Sequence, residues 1–179
     1  MTTPPPKPAP ATAQMLFETL SRLNIEYLNH NHAAVMTVEE SRALRGPIPG
    51  LHAKNLFLKD KKGALWLVVA EEHQPIDLKD LRKRLGVSNL SFARAEVLMD
   101  VLGVTPGTVT PFAAINDPAR QVRVVLDARL ANAALANFHP LDNAQTTTVS
   151  GAGLLAFLSA LEHDPLIVDF TSPVAAPSV

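Results

Sequence analysis

The fold is decided by one stretch of sequence, Leu51-His52-Ala53-Lys54-Asn55-Leu56-Phe57-Leu58-Lys59-Asp60-Lys61-Lys62-Gly63-Ala64-Leu65-Trp66-Leu67-Val68-Val69-Ala70. Two apolar runs, 54–59 and 64–70, flank the polar segment 60–63, which ends in glycine. Apolar runs on either side of a short polar turn are typical of a β-hairpin. The stretch therefore predicts two neighbouring antiparallel strands.

Working outward from the hairpin, the spacing of apolar residues and the positions of glycine and proline predict the remaining elements. Helices are predicted over 14–23, 37–44, 77–85, 95–102 and 150–163, and further strands over 25–28, 90–93, 122–127, 145–149 and 166–170. Because helices and strands alternate irregularly around the hairpin, we predict a single α+β domain. Its sheet is mixed and largely antiparallel, and helices surround it. The domain is expected over 13–170, after a disordered leader (1–12) and before a tail (171–179).

Composition limits the classes of function. The 179 residues carry a net charge of −1, so contact with nucleic acid would need a local basic surface. The absence of cysteine excludes disulfides, a thiolate nucleophile and cysteine-ligated metal. Because apolar runs fall short of the roughly 20 residues that cross a bilayer, we expect no membrane association and a cytoplasmic protein.

Lys54 is the first residue that could carry chemistry. Period-2 alternation puts it on the strand face of Leu56 and Leu58, while Asn55 shares the opposite face with Phe57. A lysine in line with apolar residues is either a strand-end lysine that reaches solvent or a functional cation in a cleft. The strand alone favours neither.

Two loops add further candidates. In Phe138-His139-Pro140-Leu141, the proline restricts the backbone around a histidine that could act as an acid, a base or a hydrogen-bond donor. In Gly107-Thr108-Val109-Thr110-Pro111-Phe112, glycine and proline could let backbone groups approach a ligand. An ordinary loop histidine and an ordinary turn explain each pattern by itself.

Other patterns are absent or ambiguous. The histidines do not form a recognised metal-ligand spacing, and no HExxH, GxSxG, P-loop or GxGxxG motif is present. A basic surface could form from the hairpin and the helix after it, through Lys59, Lys61, Lys62, Lys79, Arg82, Lys83 and Arg84. Either RNA contact or a solvated surface accounts for these charges.

Taken together, four segments resemble a known family in their order and spacing. They are 52–60 around Lys54, the Gly107-to-Pro111 loop with Ile115-Asn116-Asp117, Val125-Leu126-Asp127, and Asn137-Phe138-His139-Pro140-Leu141 through Thr146-Thr147. The family is the editing domain associated with prolyl-tRNA synthetase, and the resemblance is greatest to its freestanding branch, which clears alanine from tRNA(Pro). It covers about residues 17–170.

The resemblance implies a mixed α/β fold without metal or cofactor, and it implies site residues. The catalytic set would be Lys54, Asn55, His139 and Gly107. The aminoacyl pocket would have a wall from 35–41, with Val38 and Ser41, and further substrate-binding residues Thr110, Pro111 and Phe112. The implied partners are the acceptor end of an aminoacyl-tRNA and prolyl-tRNA synthetase.

These residues support hydrolysis of the ester between an amino acid and the terminal ribose of tRNA. Lys54 would hold the terminal phosphate or stabilise charge on the carbonyl oxygen, Asn55 and His139 would hydrogen-bond the ester, and water would attack directly. Three alternatives remain: a deacylase for cysteine or serine, a nucleic-acid-binding module without catalysis, and a small-molecule hydrolase.

Overall fold

A computed structural model describes residues 6–34, 37–44 and 48–174, without the side chains of Val38, Ser41 and Leu44. The elements in chain order are α1 (Ala13–Arg22), β1 (Leu28–Asn31), α2 (Val38–Leu44), β2 (Leu51–Asp60), β3 (Leu65–Glu71), α3 (Leu78–Leu85), β4 (Leu90–Phe92), α4 (Ala95–Leu102), two 3₁₀ turns (Pro106–Thr108 and Pro111–Asn116), β5 (Val122–Asp127), α5 (Ala128–Ala131), β6 (Ala136–Phe138), β7 (Gln145–Val149), α6 (Gly151–Ala160) and β8 (Leu166–Val168).

Within this described part the strands form one eight-stranded sheet in the order β1-β7-β6-β2-β3-β5-β8, with β4 paired to β2 beside that path. Four strand pairs are antiparallel, namely β1–β7, β2–β3, β2–β4 and β6–β7. Three are parallel, namely β2–β6, β3–β5 and β5–β8. The predicted α+β domain with a mixed sheet is confirmed.

Apolar side chains bury both faces of the sheet. On one face α1, α4, α6 and the 3₁₀ turns pack in a large cluster with Phe57, Leu67 and Val69. On the other face α3 packs through Leu81 against Leu58 and Val68 in a smaller cluster. Because side chains alternate along a strand, consecutive residues of β2 enter opposite clusters. The two faces of β2 therefore have different surroundings.

Side chains and a glycine cap the helix ends. The amide N–H of Lys79 donates to the Asp77 carboxylate at the start of α3, and Gly86 ends that helix with φ 67°. At α2, the Glu40 amide donates to the Thr37 hydroxyl and the Thr37 amide donates to the Glu40 carboxylate. This reciprocal pair is a capping box.

The sequence prediction misplaced one strand and missed another, and it also missed the short helix α5. The first pairing strand is Leu28–Asn31 rather than 25–28, and Ile25 is buried in the core instead. A short strand was also missed at Ala136–Phe138. Its central residue, Asn137, is buried, and its side-chain amide donates to the carbonyls of Pro49 and Leu51. Those long-range bonds override the low strand preference of asparagine.

Candidate active site

The central strand β2 is paired along one edge to β3 and along its other edge to two different strands. On that second edge β6 pairs with Leu51 and His52, and β4 pairs with 58–60. Between them, the segment around Lys54 and Asn55 has no ladder partner on this edge among the described residues. Such a break leaves backbone groups and side chains accessible to another molecule. Two of the residues predicted to be catalytic lie in it.

Lys54 lies half-buried in this break, beside Ala70 of β3. By alternation it shares its face with Leu56 and Leu58, which pack in the cluster under α3. The ammonium group is thus carried at the end of an apolar surface rather than on a freely solvated strand end. This placement suits a cation that meets a bound anion.

Asn55 points to the opposite face, with Ala53 and Phe57, and lies beside Val69. Its side-chain oxygen Oδ1 is buried and receives no hydrogen bond from the described residues. Buried polar atoms nearly always have a partner, and leaving one without a donor costs about 1–3 kcal/mol. Within the described part of the chain this acceptor therefore stays open to a donor, and it lies in the break of the sheet one residue from Lys54.

His139 directly follows β6. In the parallel pairing of β2 with β6, Leu51 lies beside Ala136 and His52 lies beside Asn137, and the pairing ends there, two residues before His139. The ring nitrogen Nδ1 of His139 donates to the backbone oxygen of Gln145 at 2.9 Å. The β2–β6 pair therefore brings the segment of His139 to the strand that carries Lys54, 85 residues away in the sequence.

The loop after α4 forms two 3₁₀ turns instead of an open loop. Gly107 is exposed in the first turn, and an added Cβ atom would meet nothing within 4 Å, so the protein's own packing does not require glycine there. Thr110, Pro111 and Phe112 are buried. Phe112 contacts Phe138, the residue before His139, with ring centroids 5.7 Å apart. These residues support the histidine segment, and their direct contact with a substrate stays a prediction.

The predicted pocket wall belongs to α2 and the residues before it. Val35 and Met36 lie outside the described residues, as do the side chains of Val38 and Ser41, so that prediction remains as it was. The helix is held near the start of β2, because Arg42 forms an ion pair with Glu72 at 3.8 Å. Glu72 in turn donates its backbone N–H to the carbonyl of His52. Arg42 therefore connects α2 to the segment that follows β3, and that segment is hydrogen-bonded to β2.

The sequence did not reveal that His32 lies beside His139. The two rings lie 6.5 Å apart between centroids. His32 donates from Nδ1 to the Ala33 carbonyl, so Nε2 accepts from the Thr146 hydroxyl when the ring is neutral. The proximity arises because β1 pairs with β7, a long-range contact that no local pattern reports.

One group of possible metal ligands is present in the described chain. Ligand atoms of Glu71, Glu72 and His73 lie within 4.8 Å of one another. Glu71 faces Arg129 at 3.5 Å, while Glu72 faces His73 at 3.3 Å as well as Arg42. Ion pairs therefore account for these carboxylates.

Comparison with known proteins identifies the family. The sequence model of the aminoacyl-tRNA editing domain matches residues 32–157, a span that contains the four residues predicted to be catalytic. The chain belongs to this family. This editing domain is accordingly an enzyme, a hydrolase that removes amino acids from tRNA.

Relatives of the editing domain carry prolyl-tRNA names. A zebrafish (Danio rerio) prolyl-tRNA synthetase associated domain-containing protein 1 is 40% identical over 157 residues, covering 87% of this chain and 85% of that protein. The prolyl-tRNA editing protein ProX of Acetoanaerobium sticklandii is 38% identical over 138 residues, covering 76% and 84%.

Similarity in structure extends the agreement to the fold. The crystal structure of hypothetical protein APE2540 superposes with a TM-score of 0.69 at 19% identity, covering 86% of this chain and 97% of that one. At this identity the likeness concerns the fold alone. In the described part of the editing domain, no helix has the length and apolar character needed to traverse a lipid bilayer.

Proposed function

We propose that this editing domain acts in trans to hydrolyse alanyl-tRNA(Pro), the product of mischarging by prolyl-tRNA synthetase. The observation that carries the proposal is the side-chain oxygen Oδ1 of Asn55, which is buried and receives no hydrogen bond from the described residues. Asn55 follows Lys54 in the break of the sheet. The relatives named for prolyl-tRNA editing and for prolyl-tRNA synthetase support the choice of tRNA. We place the reaction in the cytoplasm, where tRNA is charged.

Lys54 supplies the positive charge in this mechanism. The 3′ end of tRNA carries phosphates next to the aminoacyl ester, and hydrolysis builds negative charge on the ester's carbonyl oxygen. A half-buried ammonium at the edge of an apolar surface can bind either anion more strongly than one in bulk water. It thereby positions the ester and stabilises the tetrahedral intermediate.

Asn55 and His139 recognise the polar groups around the ester. The α-ammonium of the amino acid, or the free ribose hydroxyl, can donate to the empty Oδ1 acceptor of Asn55. His139 holds its Nδ1 proton on Gln145, so Nε2 is the unprotonated nitrogen of the neutral ring, the form in which histidine acts as a base. The backbone of the exposed turn at Gly107 is open to the ribose.

The covalent steps need only water. Water adds to the carbonyl carbon, the bond from that carbon to the ribose oxygen breaks, and a proton passes to the ribose oxygen as it leaves. The products are tRNA with two free ribose hydroxyls and free alanine. No protein nucleophile is required, and the neighbouring ribose hydroxyl can relay the proton.

Selectivity rests on exclusion by size. A synthetase pocket that accepts proline discriminates weakly against alanine, because each missing methylene is worth only about 1–3 kcal/mol. A second pocket too small for proline corrects this error. We assign its limit to the wall at 35–41, with Val38 and Ser41, together with the loop that carries Thr110 and Pro111.

The test measures loss of the ester from alanyl-, cysteinyl-, seryl- and prolyl-tRNA(Pro). We expect rapid hydrolysis of the alanyl species and retention of the prolyl species. Lys54→Ala should lower kcat/KM by about 100-fold or more, the usual effect of removing a group that stabilises transition-state charge. Lys7→Ala removes an exposed lysine elsewhere and serves as the matched control.

Three other outcomes would change the proposal. Hydrolysis of the cysteinyl or seryl species alone would move the proposal to that substrate. Binding of tRNA without hydrolysis of any ester would establish a binding module instead. Equal turnover in Lys54→Ala and Lys7→Ala would remove Lys54 from the mechanism.

A further inference from the structure

The turn that follows His139 is closed by a carboxylate. Asp142 accepts from the backbone N–H of Ala144 at 2.7 Å and, through its other oxygen, from the side-chain amide of Gln145 at 3.1 Å. Leu141 is forced into the left-handed region with φ 68°, an unfavourable conformation for leucine that the surrounding bonds must maintain. The turn is thus held in one shape.

Gln145 is fixed at both of its polar ends. Its side-chain amide donates to Asp142, while its side-chain oxygen accepts from Asn29 of β1 at 2.7 Å. Its backbone oxygen is the acceptor for Nδ1 of His139. Asp142 therefore acts on the histidine through the residue to which the histidine is bonded.

The partner of Nδ1 determines the state of the ring. A carbonyl oxygen only accepts, so the proton must be on Nδ1, and in the neutral ring Nε2 is then the acceptor. A histidine that takes part in water attack needs this tautomer, with Nε2 directed at the reacting atoms. If the ring could rotate or change tautomer, the position of Nε2 would carry a proton for part of the time and would then donate a hydrogen bond.

We propose that Asp142 is a positioning residue, which holds the turn and Gln145 so that His139 keeps its proton on Nδ1 and has an unprotonated Nε2 in the neutral ring. The proposal rests on the proposed function for its effect on turnover. Asp142 has a role like that of the acid in a catalytic triad. It acts through Gln145, however, and does not bond directly to the imidazole. Asp142 touches neither ester nor water in this scheme.

The charges around the turn agree with this arrangement. Hydrogen bonds from Ala144 and Gln145 lower the pKa of Asp142 below its ordinary value, burial opposes them, and His139 and His32 lower the pKa further when they are protonated. Asp142 is therefore a carboxylate at neutral pH.

The experiment compares Asp142→Asn with Asp169→Asn in the full chain. Asparagine keeps the acceptor for Ala144 but loses the charge and the acceptor for Gln145. Asp169 is the matched control, because it too accepts from the backbone N–H two residues on, at Thr171, in a turn near the C-terminus. Both variants remove one negative charge.

The readouts are the tautomer of His139 and the kinetics. Imidazole ¹⁵N NMR should show the Nδ1–H tautomer in the wild type and a mixture in Asp142→Asn. In that variant kcat on alanyl-tRNA(Pro) should fall about tenfold, less than the loss in a triad with the wrong tautomer. KM should stay within about twofold, and the acid limb of the pH profile should move to lower pH. Asp169→Asn should resemble the wild type.

The outcomes are separable. An unchanged tautomer and unchanged kcat in Asp142→Asn would overturn the positioning role. If the wild type hydrolyses no aminoacyl-tRNA, the proposed function fails, while the tautomer measurement still decides this inference. Should Asp142→Asn not fold, Gln145→Leu breaks the same link while leaving the bond between Asp142 and Ala144, and it should give the same mixed tautomer.

Discussion

Asn55 carries a buried hydrogen-bond acceptor that lowers the stability of the folded protein. Its Oδ1 is buried without a donor from the described residues, and an unsatisfied acceptor destabilises a protein by about 1–3 kcal/mol. Binding sites often contain unsatisfied polar groups, because the ligand needs them. Replacing such a group by an apolar one stabilises the fold but lowers activity.

Asn55→Leu should therefore separate stability from activity. Leucine is larger but is branched at Cγ as asparagine is, and it matches the neighbouring apolar side chains Ala53 and Phe57. We expect the free energy of unfolding to stay unchanged or to rise by about 1 kcal/mol, measured by urea denaturation, while deacylation of alanyl-tRNA falls at least tenfold. Phe57→Leu is the control, since it perturbs the same face and should lower stability. A loss of several kcal/mol in Asn55→Leu would show that the amide is structural.

At this scale the sequence predicted part of the site. The alternation that places Lys54 with Leu56 and Asn55 with Phe57 is readable from the strand and is confirmed. The positions of His32 and Asp142 are not readable, because they depend on the pairing of β1 with β7 and on the turn before β7. Local patterns contain no information about such distant partners.

At the scale of elements, the hairpin is held by one buried carboxylate. Asp60 accepts from the backbone N–H groups of Lys62 and Ala64 and from the indole N–H of Trp66. Burial acts to raise the pKa of Asp60, but these three bonds and the charge of Arg123 outweigh it, so the pKa lies below the ordinary value of 3.8. The charged form of Asp60 thus stabilises the folded state.

Asp60→Asn tests this carboxylate. Because the folded pKa is lowered, the contribution is present above pH 3.8 and disappears as the pH falls through the folded value. We expect Asp60→Asn to lower the free energy of unfolding by about 1–3 kcal/mol at pH 7 and by less near pH 3. Urea denaturation at both pH values measures the difference. A penalty that is the same at both would contradict the role of the charge.

The hairpin was the element best predicted, because its signal is local, and even there the strand β2 begins earlier than expected, at Leu51. The extra residues are strand because β6 pairs with them. The polar strand β1 was shifted for a related reason. Asn29 and Thr147 are hydrogen-bonded across the β1–β7 pair at 2.8 Å, so partner contacts and not apolar alternation set its position.

For the whole molecule, the structure divides the four basic residues of α3 into two pairs. Arg82 donates to the carbonyl of Ser88, and Arg84 donates to the carbonyls of Asp169 and Ser172, so both hold neighbouring segments. Lys79 and Lys83 are exposed and lie one turn apart on α3. Since α3 covers the face of the sheet that carries Lys54, these lysines could meet the phosphates of a tRNA whose 3′ end is in the site.

The double variant Lys79→Glu/Lys83→Glu tests that surface. With a net charge of −1 the protein has no general attraction for RNA, so a local effect should be visible. We expect KM for alanyl-tRNA(Pro) to rise with little change in kcat, and the salt dependence of kcat/KM to weaken by about one unit of slope for each lost phosphate contact. The control Lys7→Glu/Arg22→Glu makes the same change in charge at two exposed residues on another surface. Equal effects in both variants would indicate a general electrostatic effect.

The order of strands in the sheet has a consequence for synthesis of the protein. The first strand to leave the ribosome, β1, has as its partner β7, and β2 borders β6. The half of the sheet that brings the segment of His139 to β2 therefore cannot be completed until translation has passed Val149. A nascent chain of this enzyme remains inactive until nearly all of it has been made, whatever the early strands have already achieved.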